Sequence, residues 1–307
     1  MTEYVRLTDV SPRDGLQNEP EPISTADKLR LIEALAGSGV DEVELTSFVS
    51  PKWVPQLADA PAVVEAAGAF KTDRVTFSAL VPNEQGLARA FEVNERVQAL
   101  DKVAVFTAAS EAFSQKNTNA SIDETLERFK PVIDSARCGG LVVRGYISCA
   151  FACPFEGEVS VDAVTRVAAR LLSAGVDEID LGDTIGAATP EMVEALVRGM
   201  HDRLGACRET EIGEPCLTLH LHDTHGRARE CVLAALECGV RSFDGSAAGL
   251  GGCPYASTKG SRAPGNIAMG VLVETIEGAG YQTGVDREAL AEAARIAASL
   301  AGAGGKV

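Results

Sequence analysis

Aromatic residues are scarce in this chain. Phe, Trp and Tyr make up 5% of its 307 residues, with a single Trp, so a core of any size must be built from Ala, Val, Leu and Ile. Positive charge is scarce too. Lys and Arg number 28 against 44 Asp and Glu, a net charge of −16, which argues against nucleic acid or an anionic membrane surface as the main partner. That balance leaves room for one local basic site that takes an anionic small molecule. No stretch approaches the ~18 uncharged apolar residues of a membrane span. The opening MTEYVRLTDVSPRD carries charges at Glu3, Arg6 and Asp9 that interrupt any signal-peptide core, and it is too acidic for a transit peptide. The eight cysteines (138, 149, 153, 207, 216, 231, 238 and 253) are scattered without a secretory signal, so free thiols in a reducing cytoplasm are expected. Cys149 and Cys153 form a C-x3-C pair, but no second Cys/His pair stands at zinc-finger spacing.

What is present is a soluble, globular composition, 46% hydrophobic and 23% charged. β-rich runs at 4–10, 41–45, 74–80, 102–106, 141–147, 176–181, 216–222 and 240–243 alternate with amphipathic or Ala-rich helical patterns. Those helices are placed near 25–38, 58–69, 83–99, 121–137, 160–174, 190–204, 226–238 and 266–279. Ser24 or Thr25, Ser121 and Ser160 open helices as caps, and Gly39, Gly175 and Gly239 close helices that lead into strands. Eight βα units predict an α/β fold, a (β/α)8 TIM barrel, with a doubly wound open sheet as the structural alternative. The segment 285–301 reads as an extra C-terminal helix. The expected organisation is a catalytic barrel over 1–280 and a helical appendage over 281–307.

In a barrel, chemistry sits on the loops at the carboxyl ends of the strands, and polar residues fall there. After the first strand come Arg13 and Asp14: either a turn ion pair at the surface, or a metal ligand beside a stabiliser of developing negative charge. The seventh strand ends in His220-Leu221-His222. Strand side chains alternate, so both imidazoles point one way, a metal-site signal. His225 reads as a capping or supporting group. Past the eighth strand, a glycine-rich run reads as a hinge that lets Cys253 approach a bound molecule. Asn266 could offer an oxygen to a metal or cap the helix that follows it. Glu44 and the run Glu178-Ile179-Asp180 to Asp183 place carboxylates near the mouth, and a cation there would explain several at once. Arg144, Tyr146 and Ser148 end the fifth strand and could bind an anion.

These residues stand in longer motifs: SPRDGLQNE (11–19), ELTSFVSPKWVPQ (44–56), AASEAFSQKN (108–117), VRGYISCAFACPFEG (143–157), LGDTIG (181–186), HLHDTHG (220–226) and AGLGGCPY (248–255). Together they resemble the 3-hydroxy-3-methylglutaryl-CoA lyase family of metal-dependent aldolase-type barrels, nearly end to end. The resemblance implies a carbon–carbon lyase of leucine degradation that uses Mg2+ or Mn2+, takes an acyl-CoA thioester and is often dimeric. It implies Asp14, His220, His222 and Asn266 as metal ligands, and Arg13 as the residue that steadies a thioester enolate. Cys253 is implied as the proton-transfer cysteine, and Glu44 and Asp183 as active-site carboxylates. Gln17, Ser47, Arg144, Tyr146, Lys259 and Arg262 are the expected substrate contacts.

Three departures bear on the substrate. Cys253 and Asn266 are 13 positions apart where the family usually has nine. The extra residues bring Lys259 and Arg262, expected near CoA phosphates or an altered acyl tail. Pro20 follows Asn-Glu where the family often has a basic residue, and Asp180 stands where it commonly has Ser. A lyase for another 3-hydroxyacyl-CoA, such as citramalyl-CoA or a branched 3-hydroxyglutaryl-CoA, an acyl-CoA condensing synthase, and a non-catalytic metal or thiol sensor are the competing functions.

Overall fold

The structure, a computed structural model, describes residues 3–204, 216–252 and 265–301. Eight parallel strands close into a barrel: β1 (Arg6–Asp9), β2 (Glu42–Ser47), β3 (Thr76–Leu80), β4 (Lys102–Ala108), β5 (Val142–Ser148), β6 (Glu178–Gly182), β7 (Leu217–His220) and β8 (Ser242–Gly245). β1 pairs with both β2 and β8, which closes the ring and excludes the open sheet. Helices α1 (Thr25–Ala36), α2 (Ala60–Ala67) and α3 (Glu84–Val97) connect the first strands. A short α4 (Glu111–Thr118) and a longer α5 (Ile122–Cys138) follow β4, and α6 (Val161–Ser173), α7 (Pro190–Leu204), α8 (Ala228–Glu237) and α9 (Met269–Gly278) complete the outer layer. The extra helix α10 (Arg287–Ala301) packs on α1 and on the turn at 247–249.

Local chemistry sets these elements. Ser24, Asn83 and Ser160 accept backbone N–H groups at their helix starts, and Ser121 with Glu124 forms a reciprocal capping box. β2 and β6 begin slightly later than the pattern predicts, and an aspartate stands just before each, as one does before β4. Asp41, Asp101 and Asp177 accept the N–H of Leu7, Phe77 and Val143 on neighbouring strands, so the chain before each strand is spent on a side-chain bond. α4 was not predicted. It has eight largely polar residues held by the Ser110 cap, too few turns for a period to show. A two-stranded ribbon, Ala152–Cys153 with Gly157–Glu158, is also unforeseen.

Cys138, Cys153, Cys231 and Cys238 are free thiols, but Cys216 is disulfide-bonded. That corrects the expectation of eight free thiols, since scattered spacing does not show which thiols a fold brings within the ~5.5 Å Cα separation of a disulfide. Among the described residues, no helix is long and apolar enough to cross a membrane.

The aliphatic core lies between barrel and helices. The barrel interior differs from the branched aliphatic layers usual for the fold: its lower layer is ionic. Lys102 Nζ donates to Glu42 and Glu178, each at 2.7 Å. The guanidinium of Arg144 lies 2.7 Å from Glu178, 3.2 Å from Glu42 and 3.3 Å from Asp244. Thr218 links Glu178 to Ser242.

Two outcomes are expected. Lys102→Met leaves two buried carboxylates short of a cation and should cost about 3–5 kcal/mol in urea unfolding; an unchanged midpoint would contradict the role of this layer. Asp9, wholly buried with Oδ2 unpartnered, has a pKa raised by burial from 3.8 to about 7. The folded state holds that proton more tightly than the unfolded chain, so Asp9 makes stability fall as pH rises between those two values. Asp9→Asn should flatten that part of the stability–pH curve, measured by denaturant unfolding across the interval.

Candidate metal and catalytic site

The chain leaves β1 through a single π-turn, Ser11–Gly15. The N–H groups of Arg13, Asp14 and Gly15 converge on the Val10 carbonyl at 3.2, 2.8 and 3.2 Å. Pro12, without an N–H, suits the start of such a turn. The turn swings Arg13 and Asp14 over the barrel mouth. Ser11 Oγ accepts the Ala247 N–H at 2.6 Å, which ties this turn to the loop after β8.

β7 delivers His220 and His222 to one face, as alternation predicts. Their Nε2 atoms are 3.3 Å apart. The segment around Asn266 runs antiparallel to residues 221–223: Asn266 bridges His222 and the Ile267 N–H donates to Leu221. Asn266 is therefore not the cap of α9, a place taken by Ala268. Its amide nitrogen donates to Asp14 Oδ2 at 2.9 Å and to the Leu250 carbonyl at 2.8 Å, which leaves the amide oxygen as its atom for a cation. Gly251 was read as part of a hinge, but its position demands glycine for a steric reason. Its φ is +107°, and a Cβ there would stand 2.5 Å from Asn266 Nδ2 and 3.0 Å from Asp14 Oδ2.

The ligand atoms of Asp14, His220 and His222 all lie within 4.8 Å of one another. Two imidazole nitrogens, a carboxylate and an amide oxygen form a donor set that fits a divalent cation. His222 Nδ1 is buried with no hydrogen-bond partner. Burial, and then His220, lowers the His222 pKa to about 4, so its ring is neutral and can offer a lone pair. Burial works to raise the Asp14 carboxyl, but Arg13, His220 and His222 outweigh it and hold the group below its ordinary value. His220 Nδ1 donates to Asp244 at 3.1 Å, the carboxylate–imidazole support usual behind a metal-binding histidine. Burial pulls His220 down, and Asp244 and Asp14 carry it above its ordinary value.

Arg13 is clamped. Its Nε donates to Glu44 at 2.5 Å and its Nη1 to Asp14 at 2.7 Å. Glu44 is fully buried, and burial raises its pKa despite the partial offset from Arg13. Gln17, an expected substrate contact, instead donates to Asp14 at 2.8 Å. Tyr146 is brought in as well: its ring lies 5.4 Å from the Arg13 guanidinium carbon and meets His220 edge-on at 6.3 Å.

Other expected residues are not gathered at this centre. Arg144 is not at the mouth; it lies one inward position below Tyr146, enclosed by Glu42, Glu178 and Asp244. Alternation gave its direction, and depth depends on strand register, which pairs it with Glu178. Glu178 is inward but belongs to the same lower layer, whereas Asp180 is level with Tyr146 in the register and has a carboxylate oxygen within 4.8 Å of a ligand nitrogen of His220 and an oxygen of Asp244. Asp180 is fully buried 3.7 Å from Arg144, and burial, then Asp244, pushes its pKa well up. Asp183 accepts the N–H groups of Ala187 and Ala188 at 2.9 and 3.1 Å, holding the turn after β6, while its own N–H donates to the His220 carbonyl. Burial raises its pKa to about 6. Ser47 accepts the Val49 N–H at the end of β2. His225 is exposed, and Asp223 rather than His225 accepts the Ala228 N–H that opens α8. Cys253, Lys259 and Arg262 lie outside the described residues. Asp244 and Lys102 were missed, although polar residues at every second position of otherwise apolar strands, as in Ser242-Phe243-Asp244-Gly245-Ser246, carried the signal.

The family model described as HMGL-like matches residues 4–297. Hydroxymethylglutaryl-CoA lyase of Pseudomonas mevalonii is 47% identical over 97% of this chain and 93% of its own length. A Pseudomonas aeruginosa protein named 3-hydroxy-3-isohexenylglutaryl-CoA/hydroxy-methylglutaryl-CoA lyase is 45% identical over 98% of this chain and 94% of its own. The crystal structure of the HMG-CoA lyase from Brucella melitensis aligns with a TM-score of 0.87 at 41% identity, covering 97% of this chain and 99% of that one. With a barrel closed in the same way and a family match over nearly all of its length, the chain belongs to the HMGL-like family.

Proposed function

We propose that this protein is a divalent-cation-dependent lyase that cleaves 3-hydroxy-3-methylglutaryl-CoA, or a close 3-hydroxyacyl-CoA, to acetyl-CoA and a keto acid, acetoacetate for the methyl substrate. The observation that carries the reading is the convergence of Asp14, His220 and His222 beside a clamped arginine at the barrel mouth. The relatives' names supply the thioester and the bond broken.

Asp14, His220, His222 and Asn266 are the residues to hold Mg2+ or Mn2+. The bound ion supplies Lewis acidity that eases loss of the proton from the substrate's tertiary hydroxyl. Asp14, ionised in this setting, or an imidazole beside it takes that proton. The bond between the α and β carbons then breaks. The hydroxyl carbon becomes the ketone of the keto acid, and the electron pair passes to the thioester as an enolate. Arg13 is placed to meet that charge, since Glu44 and Asp14 fix its guanidinium from two sides before the substrate arrives. Such preorganised stabilisation acts without reorganisation during the step. Cys253 donates the proton that turns the enolate into acetyl-CoA. Lys259 and Arg262 are assigned to the CoA phosphates.

The test is acetyl-CoA release from 3-hydroxyacyl-CoA thioesters by protein stripped with chelator and then supplied with Mg2+ or Mn2+. Activity should vanish on stripping and return with the ion, and release indifferent to both would overturn the reading. Arg13→Gln and Cys253→Ala should each lower turnover by roughly 10²–10³-fold, the usual loss of a charge-stabilising donor, with unchanged circular dichroism. His220→Ala should abolish Mn2+ binding by calorimetry without the substrate present.

A further inference from the structure

The barrel mouth has two unlike walls. One, from β1, β7 and the loop after β8, carries Asp14, His220, His222 and Asn266. The other comes from β3, β4 and β5 and is apolar: Leu80, Ala104 and Tyr146 form a cluster of their own, separate from the main core, with Phe106 packed against it. Register places Leu80 beside Ala104, and Phe106 beside Tyr146. Leu80 and Tyr146 keep 9% and 8% of their surface open. Phe106 also meets Phe129 of α5 at 6.0 Å, so the outer edge of this wall is braced from behind.

The two walls are joined at one residue. Tyr146 stands between Arg13 and His220, so a molecule held by those two lies against its ring. A 3-hydroxy-3-alkylglutaryl thioester has a hydroxyl, a carboxylate and a thioester oxygen for the polar wall. Its one remaining group on carbon 3 is the alkyl substituent, and an apolar surface is the favourable place for it. We propose that Leu80, Ala104, Phe106 and Tyr146 form the pocket for the carbon-3 substituent, with Leu80 and Phe106 setting the size it admits. This inference rests on the lyase reading and names the feature of the substrate that the site selects. The braced Phe106 limits the pocket to a short group, so a methyl substituent is favoured over an isohexenyl one, both of which appear in the name of the Pseudomonas aeruginosa relative.

Two measurements separate the inference from the reading beneath it. In the first, kcat/KM is compared for the methyl and isohexenyl thioesters. The intact protein should favour methyl at least ten-fold. Leu80→Ala should shift the ratio toward isohexenyl by about ten-fold, the scale on which a pocket distinguishes one methylene. Phe106→Leu, at a half-buried position that the barrel tolerates more easily, should shift it in the same direction. In the second, the two 3-alkylglutaryl-CoA analogues lacking the hydroxyl are titrated calorimetrically; they cannot be cleaved, so they read the pocket alone, and the same shift is expected. Absence of acetyl-CoA release with a normal binding shift would fault the lyase reading and leave the pocket standing. Cleavage with unchanged ratios in both variants, in turnover and in binding, would overturn the pocket.

Discussion

A barrel interior lined with acids depends on the cations it encloses. Glu42, Glu44, Glu178, Asp180, Asp244 and Asp14 all sit within or over the ring, and Lys102, Arg144 and Arg13 are the bases set among them. Burying an ionised carboxylate without a partner is prohibitive. Three bases match three acids. Asp180 is pushed toward its neutral form by burial and by Asp244. The residues that can hold a divalent cation stand at the top of this same stack. The ionic layer therefore shapes the site as well as filling the barrel. Arg144 bonds Asp244, Asp244 orients His220, and His220 faces His222 across 3.3 Å.

This order costs stability for the sake of position. Apolar residues of similar volume often replace buried ion pairs with no loss, so the layer is poorly explained as a stabiliser alone. It fixes side-chain directions beneath the mouth. Arg13 shows the result: with Nε on Glu44 and Nη1 on Asp14, its plane is set by two charge-assisted bonds, an arrangement lysine cannot reproduce. Glycine plays a complementary part. Gly251 keeps the loop after β8 close against Asn266 and Asp14, so the ligand group is compact because one backbone position has no side chain.

Much of this was legible in the residues. Alternation in His220-Leu221-His222 gave the shared face, the βα repeat gave the barrel, and three of the implied ligands converge, with Asn266 bonded to one of them and bridged to another. Depth was not legible. Arg144 and Tyr146 both point inward from β5, yet one is sealed in the ionic layer and the other meets the site, and only cross-strand register separates them. Local pattern also hides groups that act through others. Gln17 holds Asp14, and Asp183 holds the turn beside the His220 backbone. Their partners come from distant positions or from backbone atoms, which no spacing rule displays.

The asymmetry of the mouth follows from the same layering. Acids line β2, β6 and β8, and the two bases that β4 and β5 contribute, Lys102 and Arg144, are spent in the lower layer, so β3 to β5 present apolar or neutral groups at the height of the site. Tyr146 is where these demands meet. Its hydroxyl reaches down to Asp244 and Arg144, while its ring faces Arg13, His220 and the Leu80 cluster. Removing that ring would disturb a guanidinium, a histidine and an apolar wall together, whereas removing only the hydroxyl touches the ionic layer alone. Orientation of a substrate with three polar groups and one alkyl group is thus built into which strands carry charge, before any loop closes over it.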